Sequence, residues 1–187
     1  MRPTWRIADR SIVINTTPLI ALAAAGGLDA LPLLYQQVIV PLEVAGEIEA
    51  GGKQGFGVAE IAAAGFLDIQ TAGVNIPAYL ANALDRGEAA VIATAIERGI
   101  PLVCIDETVG RRVARLAGLT LTGSLGVLIK AKQLGFPVIV GDAIRRMREQ
   151  GIWLSREVAG AALALAGERK ASAQLQARRL GLSALRM

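Results

Sequence analysis

A chain of 187 residues with 53% hydrophobic but only 4% aromatic side chains can bury one large core of Ala, Leu, Ile and Val, which suits a single domain with a C-terminal extension. With no histidine and one cysteine it cannot form a Ser-His-Asp triad, a Cys-His dyad, an internal disulfide or the usual zinc site. Any metal must then be held by oxygen, which favours Mg²⁺ or Mn²⁺. The net charge of +4 conceals a division: residues 1–110 hold 12 acidic and 6 basic side chains, residues 111–187 hold 4 acidic and 14 basic. An acidic half followed by a basic one suits an enzyme acting on a polyanion, or is a solvated basic face.

No apolar stretch reaches the ~20 residues that a membrane helix needs. Met1–Arg10 is polar and lacks a signal-peptide core. A soluble, cytoplasmic protein without membrane association is expected. Residues 1–10 read as a leading segment and 11–168 as the domain. Residues 169–187, with Leu175, Leu180, Leu182 and Leu185 among Arg and Gln, read as a basic C-terminal helix or a frayed tail.

The first predicted strand is Ser11–Asn15. Thr16-Thr17-Pro18 then opens a helix over Leu19–Ala25, with a hydroxyl cap and proline in the first turn, and Gly26-Gly27 ends it. Asp29 caps a short helix to Tyr35. Gln37–Val40 is the second strand, and Pro41 starts a helix carrying Glu43 and Glu47. Gly51, Gly52, Gly55 and Gly57 mark a flexible loop before a helix at Val58–Ala64 and a strand at Phe66–Gln70. Asn75 or Pro77 opens a helical stretch to Leu84. Arg86–Arg98 is an Ala-rich amphipathic helix with Val91, Ile92, Ala95 and Ile96 on its apolar face. Leu102–Ile105 and Leu119–Thr122 are the last strands, separated by a helix at Thr108–Leu116. Helices at Leu125–Leu134, Val140–Gln150 and Ser155–Ala166 follow. The alternation with short links predicts an α/β fold, a doubly wound parallel sheet flanked by helices. No G-x-G-x-x-G or Walker pattern follows a predicted strand.

In such sheets ligands gather outside the carboxyl ends of the strands. Asn15 and Asp106 each end an apolar run there, and Glu47 and Glu88 lie on helices that would aim them at the same spot. Clustered carboxylates repel one another unless a cation neutralises them. A divalent ion there polarises a phosphoryl oxygen and acidifies water without histidine. Each residue also has a plainer reading. Asp106 can cap the following helix. Glu43 and Glu47, four apart, can be two solvated acids. Glu107 is a neighbour of the site or a first-turn acid favoured by the helix dipole. Asp85 reads as a helix cap, leaving Glu88 as the ligand. Asn15 offers an oxygen without charge, or caps its helix. Cys104 is a core thiol or a reactive one.

The runs Ile12-Val13-Ile14-Asn15-Thr16-Thr17-Pro18, Val38-Ile39-Val40-Pro41 with Glu43 and Glu47, Leu84-Asp85-Arg86-Gly87-Glu88-Ala89, Cys104-Ile105-Asp106-Glu107 with Arg111 and Arg112, and Thr122-Gly123-Ser124-Leu125-Gly126 resemble, in order, the motifs of PIN-domain proteins. The likeness spans residues 11–168 and is greatest to a prokaryotic subgroup with a G-E-A motif, related to VapC-type toxins. It implies a Rossmann-like, PIN-like sheet and a metal-dependent ribonuclease site. The four acidic positions fall on Asn15, Glu47, Glu88 and Asp106. Glu47, Glu88 and Asp106 would hold Mg²⁺ or Mn²⁺, and Asn15 would be a weak ligand or orient water. The first position is normally Asp, so Asn15 should weaken the metal. Ser124 or Thr122 would lie near the rim, and one of Arg111 and Arg112 would contact RNA phosphate or hold a carboxylate, unless they form a plain exposed basic helix.

Three functions follow. The first is a metal-dependent endoribonuclease, the toxin of a toxin–antitoxin pair, with RNA as substrate, an antitoxin protein as partner and a homodimer formed through Ala21–Ala25 or Ala159–Ala166. The second is a catalytically silent PIN-like module that binds RNA or protein, which Asn15 favours. The third is a small-molecule-binding α/β domain, whose behaviour would not depend on salt.

Overall fold

The structure, a computed structural model, describes residues 10–51 and 57–168. The expected leading segment before Arg10, most of the glycine-marked loop and the C-terminal helix or tail lie outside the described residues.

The elements follow in the order β1 (Ser11–Ile14), α1 (Thr16–Ala25), α2 (Ala30–Leu34), β2 (Gln37–Val40), α3 (Leu42–Ala50), α4 (Val58–Ala63) and β3 (Leu67–Ile69). Then come α5 (Ala78–Ala81), α6 (Arg86–Glu97), β4 (Leu102–Cys104), α7 (Thr108–Leu116), β5 (Thr120–Thr122), α8 (Ser124–Gln133), α9 (Val140–Glu149) and α10 (Arg156–Leu165). The five strands form one parallel sheet in the order β3-β2-β1-β4-β5. This is the α/β, PIN-like arrangement expected of the sequence.

The central strand has no polar face. Ile12, Val13 and Ile14 are all fully buried, so β1 is covered on both sides, as parallel sheets require. Helix α6 packs on β1 and β4 and against α3 and α7, while α1 packs on α9, α8 and α4. These contacts correct one expectation. The Ala21–Ala25 face is not a surface: Ala21 and Ala25 are buried in the molecule's own core, because α9 lies across α1. Along α10 Ala159 and Ala162 are buried against α8 and α9, while Ala161, Ala164 and Leu165 remain exposed.

Helix α1 starts at Thr16, three residues earlier than expected, directly after the strand. Pro18 falls in its first turn, where a missing N–H costs no helix bond. The helix ends at Gly26, which adopts a left-handed φ of 66° that glycine enters without strain. The stretch expected to reach Leu84 is helical only to Ala81, since the backbone must straighten at Asp85 to cap α6.

The far end of the domain is closed by one carboxylate. Ile139 precedes α9 and has no capping side chain. Glu168 supplies the cap instead, accepting the Val140 and Gly141 N–H groups at 2.8 and 2.7 Å and pairing with Lys132. Burial alone would raise its pKa, but the Lys132 and Gly141 and Val140 interactions bring it below the usual carboxylate range. Glu168→Ala should therefore lower the unfolding free energy by about 1 kcal/mol near pH 7. A carboxyl with a depressed folded pKa stabilises above its unfolded pKa and loses that contribution as pH falls through the folded value. Urea titrations of the two proteins should converge in acid.

Candidate active site

Strand β1 pairs with β2 on one edge and β4 on the other, so the sheet reverses its order between β1 and β4. The carboxyl ends of these two strands meet at that switch point. The Asn15 N–H donates to the Cys104 carbonyl at 3.0 Å and the Ile105 N–H to the Thr122 carbonyl at 3.2 Å. These bonds carry the ladder one residue past each strand and set Asn15 and Asp106 side by side with the start of α8.

Asn15 is 2% exposed and its side chain does not cap α1. Its Nδ2 donates to Glu107 Oε2 at 3.5 Å, at the outer limit of a hydrogen bond. This fixes the amide, because the flipped orientation would set its oxygen against a carboxylate. Asn15 Oδ1 is left buried with no hydrogen-bond partner among the described residues.

Glu88 is 5% exposed on α6. Asp85 caps that helix by accepting the Glu88 N–H at 2.7 Å, as expected. Glu88 Oε1 is likewise buried with no hydrogen-bond partner among the described residues, as is Glu43 Oε2 on α3. Burial, followed by the charges of Asp85 and Glu107, pushes the Glu88 carboxyl up to about 7, although the Asp85 and Gly110 backbone N–H groups partly offset this.

Asp106 is half-buried. Its Oδ1 accepts the Ser124 N–H at 2.9 Å. Burial raises its pKa, the Ser124 backbone and hydroxyl lower it, Glu107 raises it and Arg111 lowers it. Arg111 donates from Nη1 to the Ile105 and Thr122 carbonyls at 2.7 and 3.0 Å, clamping the ends of β4 and β5 together beside Asp106. Ser124 is 2% exposed, an internal support for Asp106 at the start of α8. Arg112 is exposed on α7.

Glu47 stands apart. Its Oε1 accepts the Gly87 N–H at 2.8 Å and its Oε2 the Thr16 hydroxyl at 2.5 Å. The carboxylate thus ties α3 to the first turns of α1 and α6. Glu43, a turn earlier, faces Gly73 rather than the switch point.

Three glycines make room for three acids. A Cβ on Gly87 would meet both Glu47 oxygens at 2.5 Å; one on Gly110 would strike Glu88 Oε1, and one on Gly123 would strike Asp106 Oδ1. Gly110 sits inside a helix, where glycine costs up to ~1 kcal/mol relative to alanine. That cost is the sequence signal for a close approach.

From sequence, Glu107 is a neighbour of the site or a first-turn acid. In the structure it receives the Asn15 amide, and its charge adds to the burial that raises the pKa of Glu88, Asp106 and Cys104. Its position directly after a strand-end Asp was the available signal. Cys104 itself is fully buried and burial pushes its thiol well up, the state of a core thiol.

The donor set is all oxygen, and two of its members are buried without partners, which fits a hard divalent cation in kind. As they stand, no group of three or more acidic or cysteine side chains among the described residues is arranged to hold one ion. Glu47 is turned to its own helix partners. A cavity of about 820 Å³ opens beside Asp106, Glu107, Arg111 and Ser124 and runs to Trp153.

No curated protein and no solved structure matches the chain. No helix among the described residues is long and apolar enough to cross a membrane. The family model for the PIN domain matches residues 11–168, from the first residue of β1 to Glu168, and PIN domains are generally metal-dependent nucleases. The parallel sheet, the acids at its switch point and this match agree, and the chain belongs to the PIN-domain family.

Proposed function

We propose that the protein is a divalent-cation-dependent endoribonuclease whose centre lies at the β1–β4 switch point. The observation that carries this reading is the pair of buried, unpartnered oxygens, Asn15 Oδ1 and Glu88 Oε1, beside Glu107 and Asp106. A buried carboxylate oxygen without a donor is relieved by a proton or by a cation. Glu88, Asp106 and Glu107 would hold Mg²⁺ or Mn²⁺ with Asn15 as a neutral ligand, and Glu47 would join on leaving Thr16. Bound there, the ion supplies Lewis-acid polarisation of a phosphoryl oxygen and acidifies water.

The chain's own residues do the rest. Ser124 and Arg111 offset part of the burial that raises the Asp106 pKa at the strand end. The Asn15 amide holds Glu107 in place. Arg112, exposed on α7, extends toward a phosphate backbone. The role as a toxin, the antitoxin partner and the homodimer belong to the same reading and rest on the resemblance of the motifs.

A second reading has its own support. Asn15 brings no charge, and both Glu47 oxygens are already satisfied by protein donors. A silent PIN-like module that binds RNA would look the same.

Asp106→Asn should reduce Mn²⁺-dependent cleavage of pooled RNA by about 100-fold or more, and undiminished cleavage would overturn the assignment. Wild type should cleave under the same conditions, with Asn15→Asp increasing the rate at limiting metal; cleavage by Asn15→Asp alone would establish the silent module.

Stability gives a test independent of turnover. Glu88 has a folded pKa raised to about 7 from 4.5, so the folded state holds its proton more tightly. The stability this brings is complete below the unfolded pKa and is lost as pH rises through about 7. In EDTA the melting temperature should fall across that interval, and Mn²⁺ should restore it above pH 7. Glu88→Gln should flatten the pH profile and abolish the metal response.

A further inference from the structure

We propose that Trp153 and the cavity it borders form a subsite for an unpaired nucleobase of single-stranded RNA, with Arg148 and Arg156 taking the adjoining phosphate. The proposal rests on the nuclease reading above and names where its substrate lies. Trp153 is 83% exposed, the most exposed large apolar side chain among the described residues. It sits in the link between α9 and α10, and that link is firmly tied. The Ile152 N–H donates to the Met147 carbonyl at 3.0 Å, Arg148 Nη2 donates to the Leu154 carbonyl at 3.1 Å, and Ser155 Oγ accepts the Val158 N–H at 3.1 Å. Ile152 and Leu154 on either side are half-buried and pack on the core. The alternation turns one indole outward from a fixed backbone.

What surrounds that indole gives it an occupant. On one side lies the cavity of about 820 Å³ whose far wall carries Asp106, Glu107 and Ser124, a volume in the range of ligand pockets. On the other lies a second cavity of about 490 Å³, lined by Arg148 and Arg156 as well as Trp153. The indole is therefore a ridge between the acids that would handle the scissile phosphate and two guanidiniums. A strand crossing from one to the other meets an aromatic face where its base would lie. Base–aromatic stacking beside basic residues is how single strands are held without sequence readout. A paired base presents no free face and should not use this ridge.

The test is the affinity of the full chain for a short fluorescein-labelled oligoadenylate, read by anisotropy in EDTA so that binding is separated from cleavage. Trp153→Ala should weaken binding about tenfold, while Trp153→Phe keeps most of it. Arg156→Gln should weaken it and reduce the slope of log affinity against log salt by about one. The same strand annealed to its complement should show little effect of Trp153→Ala. Unchanged single-strand affinity in Trp153→Ala overturns the proposal, as does an equal loss for the duplex. A variant that loses only self-association assigns the indole to a protein contact and overturns it as well. If wild type binds through Trp153 but shows no Mn²⁺-dependent cleavage, the subsite stands and the nuclease reading falls.

Discussion

Because β1 is paired on both edges, the chain must leave it in opposite directions, and the carboxyl ends of β1 and β4 stand together with no strand between them. This pairing is what gathers the acids of the candidate site. It sets Asn15 against the Cys104 carbonyl, delivers Asp106 to the start of α8, and leaves α6 lying on β1 and β4 with Glu88 at its first turn. Burial of the strands on both faces locks the register, since slipping one residue would expose part of an apolar core.

Charge at that point is then managed without a single imidazole. Each acid finds a different remedy. Asp106 takes a helix-start N–H and lies beside a guanidinium; Glu47 takes a backbone N–H and a hydroxyl; Glu107 takes an amide. Glu88 keeps a buried oxygen without a hydrogen-bond partner among the described residues, and burial pushes its carboxyl up to about 7. The basic half of the chain is partly absorbed by the fold. Arg111 binds strand ends, Arg146 reaches the Ala25 carbonyl at 3.3 Å and Lys132 pairs with Glu168. Arg112 and Arg156 are exposed, and Arg148, also exposed, donates to the Leu154 carbonyl beside the cavity it shares with Arg156.

β1, β2 and β4 were legible because each is a short, largely apolar run that stops at or just before Asn15, Pro41 or Asp106, and the parallel sheet followed from the alternation. Asp85 as a cap was legible from local chemistry. The start of α1 was not, because the hydroxyls at Thr16 and Thr17 suggest a cap before Leu19, whereas Thr16 spends its hydroxyl on Glu47 31 residues away. Sequence spacing likewise could not tell that Glu47 faces its own helix partners, that Glu107 couples to three neighbours, or that the alanines of α1 are covered by α9. These are long-range contacts, and a pattern of faces does not say which face meets which. Trp153 escaped notice because neither its residue type nor its neighbours mark it as outward-facing.

The glycines at 87, 110 and 123 have a consequence for how tolerant this centre is to change. Each carboxylate lies close against bare glycine backbone, whatever side chains also hold it. The main chain itself thus bounds the acids at three points on three different elements. A single methyl group added at any one of them would dislodge an acid while leaving every acidic residue in place, so the centre can be lost through substitutions that an inventory of its functional side chains would pass as intact.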